Sequence, residues 1–280
     1  MNFTKKTNKL NHDELMKRRN RNSWIIFGGF LLIRFFLVEH FMVPSSSMTP
    51  TLITGDIILI KKYNYAWSRL SIPFGGYLPF AKQGLRLGRP KRGDVAVFIM
   101  LREPAKYYVK RIVGVAGDYV QMKEGILYIN KEPVKMELVG EFKFKNDEGK
   151  DETGQEYRIT LPDSTACKDV NGGKPKQYTV YRNKPFGLGH IDNTLEFKVP
   201  DGHVWVQGDY HTGSADSFST HFMGPISLNE LVGKPFFVLY STNSRTAIEP
   251  NWIKWLLQLP WRVLVSIKDT NFKRICIKAN

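Results

Sequence analysis

The sequence holds two cysteines in 280 residues, Cys167 and Cys276. Two so widely spaced form neither a disulfide framework nor a structural zinc site, which needs more ligands at tighter spacing. A single pairing between them stays open. Acidic side chains are also scarce: 26 Asp and Glu stand against 41 Lys and Arg, for a formal net charge of +15. Long helices are scarcer still. Between residues 50 and 245 no extended run repeats its apolar positions every 3.6 residues, which argues against a helical bundle. No internal repeat suggests a solenoid. Disorder is argued against by an aromatic share of 13%.

What is present begins with where the positive charge sits. Residues 1–22 carry seven basic side chains against Asp13 and Glu14, and residues 250–280 carry six against Asp269. A basic protein invites a nucleic-acid reading. The membrane surface is preferred here. The N-terminal cluster abuts an apolar stretch, and the C-terminal one is interleaved with Trp252, Trp255 and Trp261, the mix suited to lipid headgroups. The stretch is "WIIFGGFLLIRFFLVEHFMV", Trp24 to Val43, long enough for a membrane helix of roughly 20 residues. Arg34 near its middle must snorkel or face protein. A cleaved secretory signal is the other reading, but bulky Met42-Val43-Pro44 offers no small-x-small site. A retained single-span anchor over 23–43 is expected. The basic tail then lies in the cytoplasm and everything after Val43 outside.

Beyond the anchor the chain reads as β. "GDIILI" (55–60), "GDVAVFIM" (93–100), "YYVKRIVGVAGDYVQM" (107–122), "GILYIN" (125–130), "HVWVQGD" (203–209) and "PFFVLYS" (235–241) are short β-branched or aromatic runs between turn signals. A mainly β architecture, a β-barrel or several sheets, is expected. Residues 137–195 are rich in Lys, Asp, Glu, Gly and Asn with weak strand patterning, and read as a small inserted subdomain. Gly-Asp recurs at 55–56, 93–94, 117–118 and 208–209. The first three read as turns into strands. The fourth leads into "YHTGSADSFSTHF", a polar loop.

"PSSSMTP" (44–50) places three serines just after the anchor. A serine hydroxyl needs a base to become a nucleophile. Five histidines beyond the tail are candidates: His40, His190, His203, His211 and His221. His211 lies near Asp209 and Asp216, so a Ser-His-Asp arrangement is conceivable. Lysine is the alternative, provided burial keeps it neutral. In "YYVKRIVG", Tyr108, Lys110 and Ile112 share one strand face and Val109, Arg111 and Val113 the other. Arginine never serves as a base in a protein, so a catalytic residue on this strand would be Lys110. A snorkelling surface Lys-Arg pair is the plainer reading of these residues alone.

"PSSSMTPTL" (44–52), "RGDVAVF" (92–98), "YYVKRIVGVAGD" (107–118) and "GDYHTGSADS" (208–217), in this order after an anchor, resemble the boxes of bacterial type I signal peptidase, the Ser-Lys leader peptidase. The resemblance implies Ser47 as nucleophile and Lys110 as general base. Ser45 and the backbone N–H of Ser47 would form the oxyanion hole, and Ser214 would orient the lysine. Gly208, Asp209 and Asp216 would shape the site, and Met48 would lie near bound substrate. It further implies a mainly β signal-peptidase fold on a single-pass anchor in the bacterial inner membrane, with the catalytic part on the periplasmic side. The partners would be signal-peptide-bearing preproteins cleaved after small-x-small, and membrane lipid. The secretion machinery would be met by proximity only, and neither cofactor, metal nor nucleic acid is implied. The organisation becomes a tail (1–22), anchor (23–43), core halves (44–136 and 196–249), insertion (137–195) and a basic aromatic end (250–280). Members of this family usually carry glycine where Ser46 stands, asparagine and arginine at Tyr210 and His211, and arginine at Phe218. Three other readings compete: a membrane-tethered non-enzymatic β domain, a self-cleaving repressor-type protease, and a specialised processing peptidase with one dedicated substrate. The repressor type would want a DNA-binding helix pair where the anchor stands.

Overall fold

A computed structural model describes residues 16–29, 37–67, 85–86, 88–103, 106–162, 176–219 and 223–241. Both cysteines, the basic aromatic end and His221 lie outside these residues.

The largest sheet has seven strands. Its spatial order is Val38–Met42, Asp56–Lys61, Leu231–Ser241, Val95–Ile99, Tyr107–Val115, His203–Gln207 and Ile226–Ser227. Val95–Ile99 lies inside it and is buried along its whole length. Val95, Val97 and Ile99 enter one apolar cluster with Met48, Leu52 and Ile58, while Ala96 and Phe98 enter another with Ile112, Val204 and Val206. A strand covered on both faces is selected for a continuous apolar run rather than an alternating one. The neighbouring strand Tyr107–Val115 obeys the same rule with one difference: Lys110 and Arg111 are buried with it, at 3% and 0% exposure. The surface Lys-Arg pair is thereby ruled out.

A four-stranded sheet follows, in the order Phe197–Lys198, Tyr119–Lys123, Ile126–Ile129 and Glu132–Pro133. The run over 107–122 is two strands, divided at the expected Gly117-Asp118 turn, where Gly117 has a φ of +90°. Gly55 and Gly93 also have positive φ, 91° and 79°. At each of these turns the following aspartate accepts an N–H from three residues back: Ile53 to Asp56, Lys91 to Asp94 and Val115 to Asp118. Left-handed backbone needs glycine, and the carboxylate closes the turn. Three of the four Gly-Asp pairs are one repeated turn device.

Two sequence expectations need correction. Residues 16–29 are helical, but Val38–Met42 is a strand paired with Asp56–Lys61, so the anchor cannot run to Val43. Residues 30–36 lie outside the described set, and no helix among the described residues is long and apolar enough to cross a membrane. The apolar composition of Val38–Met42 suits a half-buried strand as well as a membrane helix, and composition alone does not separate the two. The second correction is the insertion. Lys135–Lys145 and Asp151–Thr160 form a long antiparallel hairpin, extended by Gln177–Arg182 into a three-stranded sheet. Its first strand crosses the expected boundary at 136/137. The hairpin strands are mostly exposed or half-buried. They therefore carry charge at alternating positions, and apolar density is a poor guide to them.

Candidate active site

Ser45 is extended and leads into a 3₁₀ turn over Ser46–Met48. Met48, 1% exposed, plugs the turn into the core beside Leu52 and Val95. Its side chain anchors the turn, although the residue also lines the cleft described below. The hydroxyls of Ser45 and Ser47 lie 3.3 Å apart. The Ser47 carbonyl accepts from the Tyr210 N–H at 3.1 Å, which fastens the turn to the loop after Gly208.

Lys110 comes from the buried strand opposite Ala96, a small neighbour on the same sheet face. Its Nζ donates to Ser214 Oγ at 2.7 Å. Burial lowers its pKa from 10.5 to about 8, with the charges of Asp216 and Asp209 working in the opposite direction. Gly208 sits where the serine turn and the Ser214 loop meet. A Cβ there would lie 2.1 Å from Ser214 Oγ and 2.5 Å from the Ser47 carbonyl oxygen. Only glycine lets the serine turn and the Ser214 loop close on each other.

Asp209 does not face the lysine's partner serine. It takes a two-pronged ion pair from Arg111, with Nε at 2.8 Å and Nη2 at 2.7 Å. Thr51 also donates to Asp209, and Arg111 Nη1 donates to the Gly93 carbonyl. The two alternating faces of one strand thus hold the lysine on one side and the loop's aspartate on the other. The sequence marks Arg111 as a residue that cannot be a base and as half of a surface pair. Its function follows from a contact 98 positions away. Breaking a buried ion pair costs about 3–5 kcal/mol. Arg111→Met is expected to lose stability of that order, read as a lower denaturant midpoint with an unchanged slope.

Asp216 accepts backbone N–H groups from Phe218 at 3.0 Å and Gly208 at 3.5 Å. Burial raises its pKa to about 7, opposed by Lys110 and these N–H groups. Phe218 packs edge-on against Trp205, ring centroids 5.4 Å apart. His211 is 1% exposed and pushed down to about 3, first by burial and then by the Arg182 guanidinium. It is neutral in the working range and does not line the cleft, which argues against the Ser-His-Asp arrangement.

Phe41 to Met48, Lys106 to Lys110, Asp147, Gly213, Ala215 and Met223 line one cleft of about 670 Å³. Ser45, Ser47 and Lys110 share it. No group of three or more metal-ligating side chains occurs among the described residues.

Serine hydroxyls and a buried lysine of lowered pKa lining one cleft on a β scaffold are the equipment of a serine peptidase. The family described as "Signal peptidase, peptidase S26" matches residues 18–240, and the chain belongs to it. Two relatives named signal peptidase I, from Rickettsia canadensis and Rickettsia typhi, are each 32% identical over 76% of this chain and 75% of their own. Another from Rickettsia bellii is 29% identical over 86% of this chain and 79% of its own. A solved signal peptidase I from Enterococcus faecalis matches 52% of this chain and 96% of its own at 19% identity, with a TM-score of 0.28. The protein is a serine peptidase that removes signal peptides from preproteins.

Proposed function

We propose that Ser47 and Lys110 form the catalytic dyad. The observation that carries this reading is a lysine 3% exposed, lowered to about 8, in the same cleft as Ser47. Neutral Lys110 takes the Ser47 proton while Ser47 Oγ bonds to the scissile carbonyl carbon. The Ser45 hydroxyl and the Ser47 N–H receive the charge that develops on the carbonyl oxygen. The C–N bond then breaks, and Lys110 passes its proton to the departing amine of the mature protein. Water, deprotonated by Lys110, adds to the acyl carbon; the carbonyl carbon–Oγ bond breaks, Lys110 returns the proton to Ser47 Oγ, and the signal peptide is released. Ser214 holds the lysine amine in place throughout.

The substrate lies extended between Phe41–Ser45 and Lys106–Lys110. Val38–Met42 is the edge of the seven-stranded sheet, and an edge strand accepts a further strand through its main chain. Shallow subsites between these runs admit small side chains and exclude large ones. The protein is held at the inner membrane by an anchor that ends before Val38. The helix 16–29 supports this, since it exposes Trp24, Ile25, Ile26 and Phe27.

The test is preprotein cleavage in detergent by single-serine variants. Ser47→Ala should be inactive. Ser45→Ala should lose roughly 10²–10³ in rate, as expected for one oxyanion donor. Ser46→Ala should stay within a few-fold of the parent, about 1 kcal/mol for one hydrogen bond. Cleavage surviving in Ser47→Ala would place the nucleophile elsewhere.

A further inference from the structure

We propose that Asp147, at the tip of the inserted hairpin, is a positioning residue for the oxyanion hole, acting through Ser46. The proposal rests on the roles given above to Ser45 and Ser47. The Asp147 carboxylate accepts the Ser46 N–H at 2.9 Å on one oxygen and 3.1 Å on the other. It also accepts the Ser46 hydroxyl at 3.1 Å and the Thr54 hydroxyl at 2.8 Å. Three donors, two from Ser46 and one from Thr54, thus converge on one side chain 101 positions from Ser46.

The hairpin is built to deliver that carboxylate. Asn146 shapes the tip: its side-chain oxygen accepts from the Glu148 and Lys150 N–H groups at 2.9 and 3.0 Å, and its amide donates to Glu152 at 2.8 Å. Behind the tip, Phe144 packs edge-on against Tyr181 and Tyr210, with ring centroids at 5.0 and 5.8 Å. The Tyr210 hydroxyl donates to Glu152 at 2.6 Å, tying the hairpin to the same loop that carries Ser214. Two of the positions that depart from the family's usual residues, Ser46 and Tyr210, are those that grip this hairpin. Ser46 adds a hydroxyl donor where glycine has none, and Tyr210 adds a ring and a hydroxyl.

A charged acceptor on the Ser46 N–H fixes the rotation of the peptide between Ser45 and Ser46. That peptide sets Ser45 in its extended conformation, φ −142° and ψ 157°, with its hydroxyl 3.3 Å from Ser47 Oγ. The adjoining Ser47 N–H is the second oxyanion donor. Freeing the Ser46 peptide would let both donors drift, and an error of about 1 Å in a reacting group costs roughly 10² in rate. Asp147 lines the cleft but touches neither nucleophile nor base, and an effect exerted through the Ser46 peptide should appear in kcat.

The experiment measures kcat and KM for preprotein cleavage by Asp147→Ala, Asp147→Asn and Ser45→Ala, and by Asp147→Ala combined with Ser45→Ala. The expected result is a fall in kcat of roughly tenfold to a hundredfold for Asp147→Ala with KM within twofold, and partial recovery in Asp147→Asn, which keeps one carbonyl acceptor. The double variant should be slower than Ser45→Ala by a smaller factor than Asp147→Ala is slower than the parent, because one of the two donors that Asp147 positions is already gone. An unchanged kcat in Asp147→Ala, a change confined to KM, or losses that multiply in the double variant would each overturn the proposal. Failure of the underlying reading shows differently: Ser45→Ala would itself be unimpaired. Each variant's thermal midpoint is recorded, and Glu152→Gln, which loosens the hairpin behind its tip, should lower kcat less than Asp147→Ala.

Discussion

Lys110→Ala is expected to lower preprotein cleavage by roughly 10⁴–10⁶-fold, the range seen when a nucleophile's activating partner is removed. The fold should survive, because removing a desolvated amine relieves a burial cost. In the parent enzyme the rate should rise with pH through about 8, since only the neutral amine is a base. Removing the neighbouring carboxylate moves that limb in a defined direction. Asp216 favours the protonated lysine, so Asp216→Asn should shift the limb to lower pH. Stability follows the same linkage. Between about 8 and 10.5 the unfolded chain keeps the Lys110 proton that the folded chain has released, so this group's contribution rises with pH across that window. An acid limb near 6.5 that disappears in His211→Ala would assign the base to a histidine and sink the dyad.

Gly208→Ala carries the second large effect. The added Cβ would sit 2.1 Å from Ser214 Oγ and 2.5 Å from the Ser47 carbonyl oxygen, both well inside van der Waals contact. One of these two must move. Either displacement breaks the alignment of lysine, Ser214 and the serine turn, and a loss above about 10² in kcat is expected. Overpacking of this kind costs about 1–3 kcal/mol, so the variant should remain folded at room temperature. Steady-state kinetics with a parallel thermal melt separates the two contributions. A variant with normal kcat would mean that the loop has room the geometry does not show.

Much of this protein was legible in its residues. The turn of three serines, the strand bearing Lys110 and the repeated Gly-Asp turns are local features, and local features follow from backbone preference and apolar period. Gly208 stood apart from the other Gly-Asp pairs because no strand follows it, and the structure gives the reason: close approach instead of a left-handed turn. The hairpin over 135–160 was harder to see. Its strands are largely solvated, so charge replaces the apolar alternation that marks a buried strand. The end of the expected anchor was misplaced for a related reason, because Val38–Met42 has a composition that suits either a membrane helix or a half-buried strand.

By itself, then, the sequence determined the order of the boxes, the family they resemble, and which residue types were available for the chemistry. The tertiary structure alone decided what those residues are paired with. Lys110 meets Ser214 across 104 positions, Arg111 meets Asp209 across 98, and Asp147 meets Ser46 across 101. Whether a lysine is a cation or a base depends on how much water the fold removes from it, and desolvation is a property of the packed neighbours rather than of the strand that carries it.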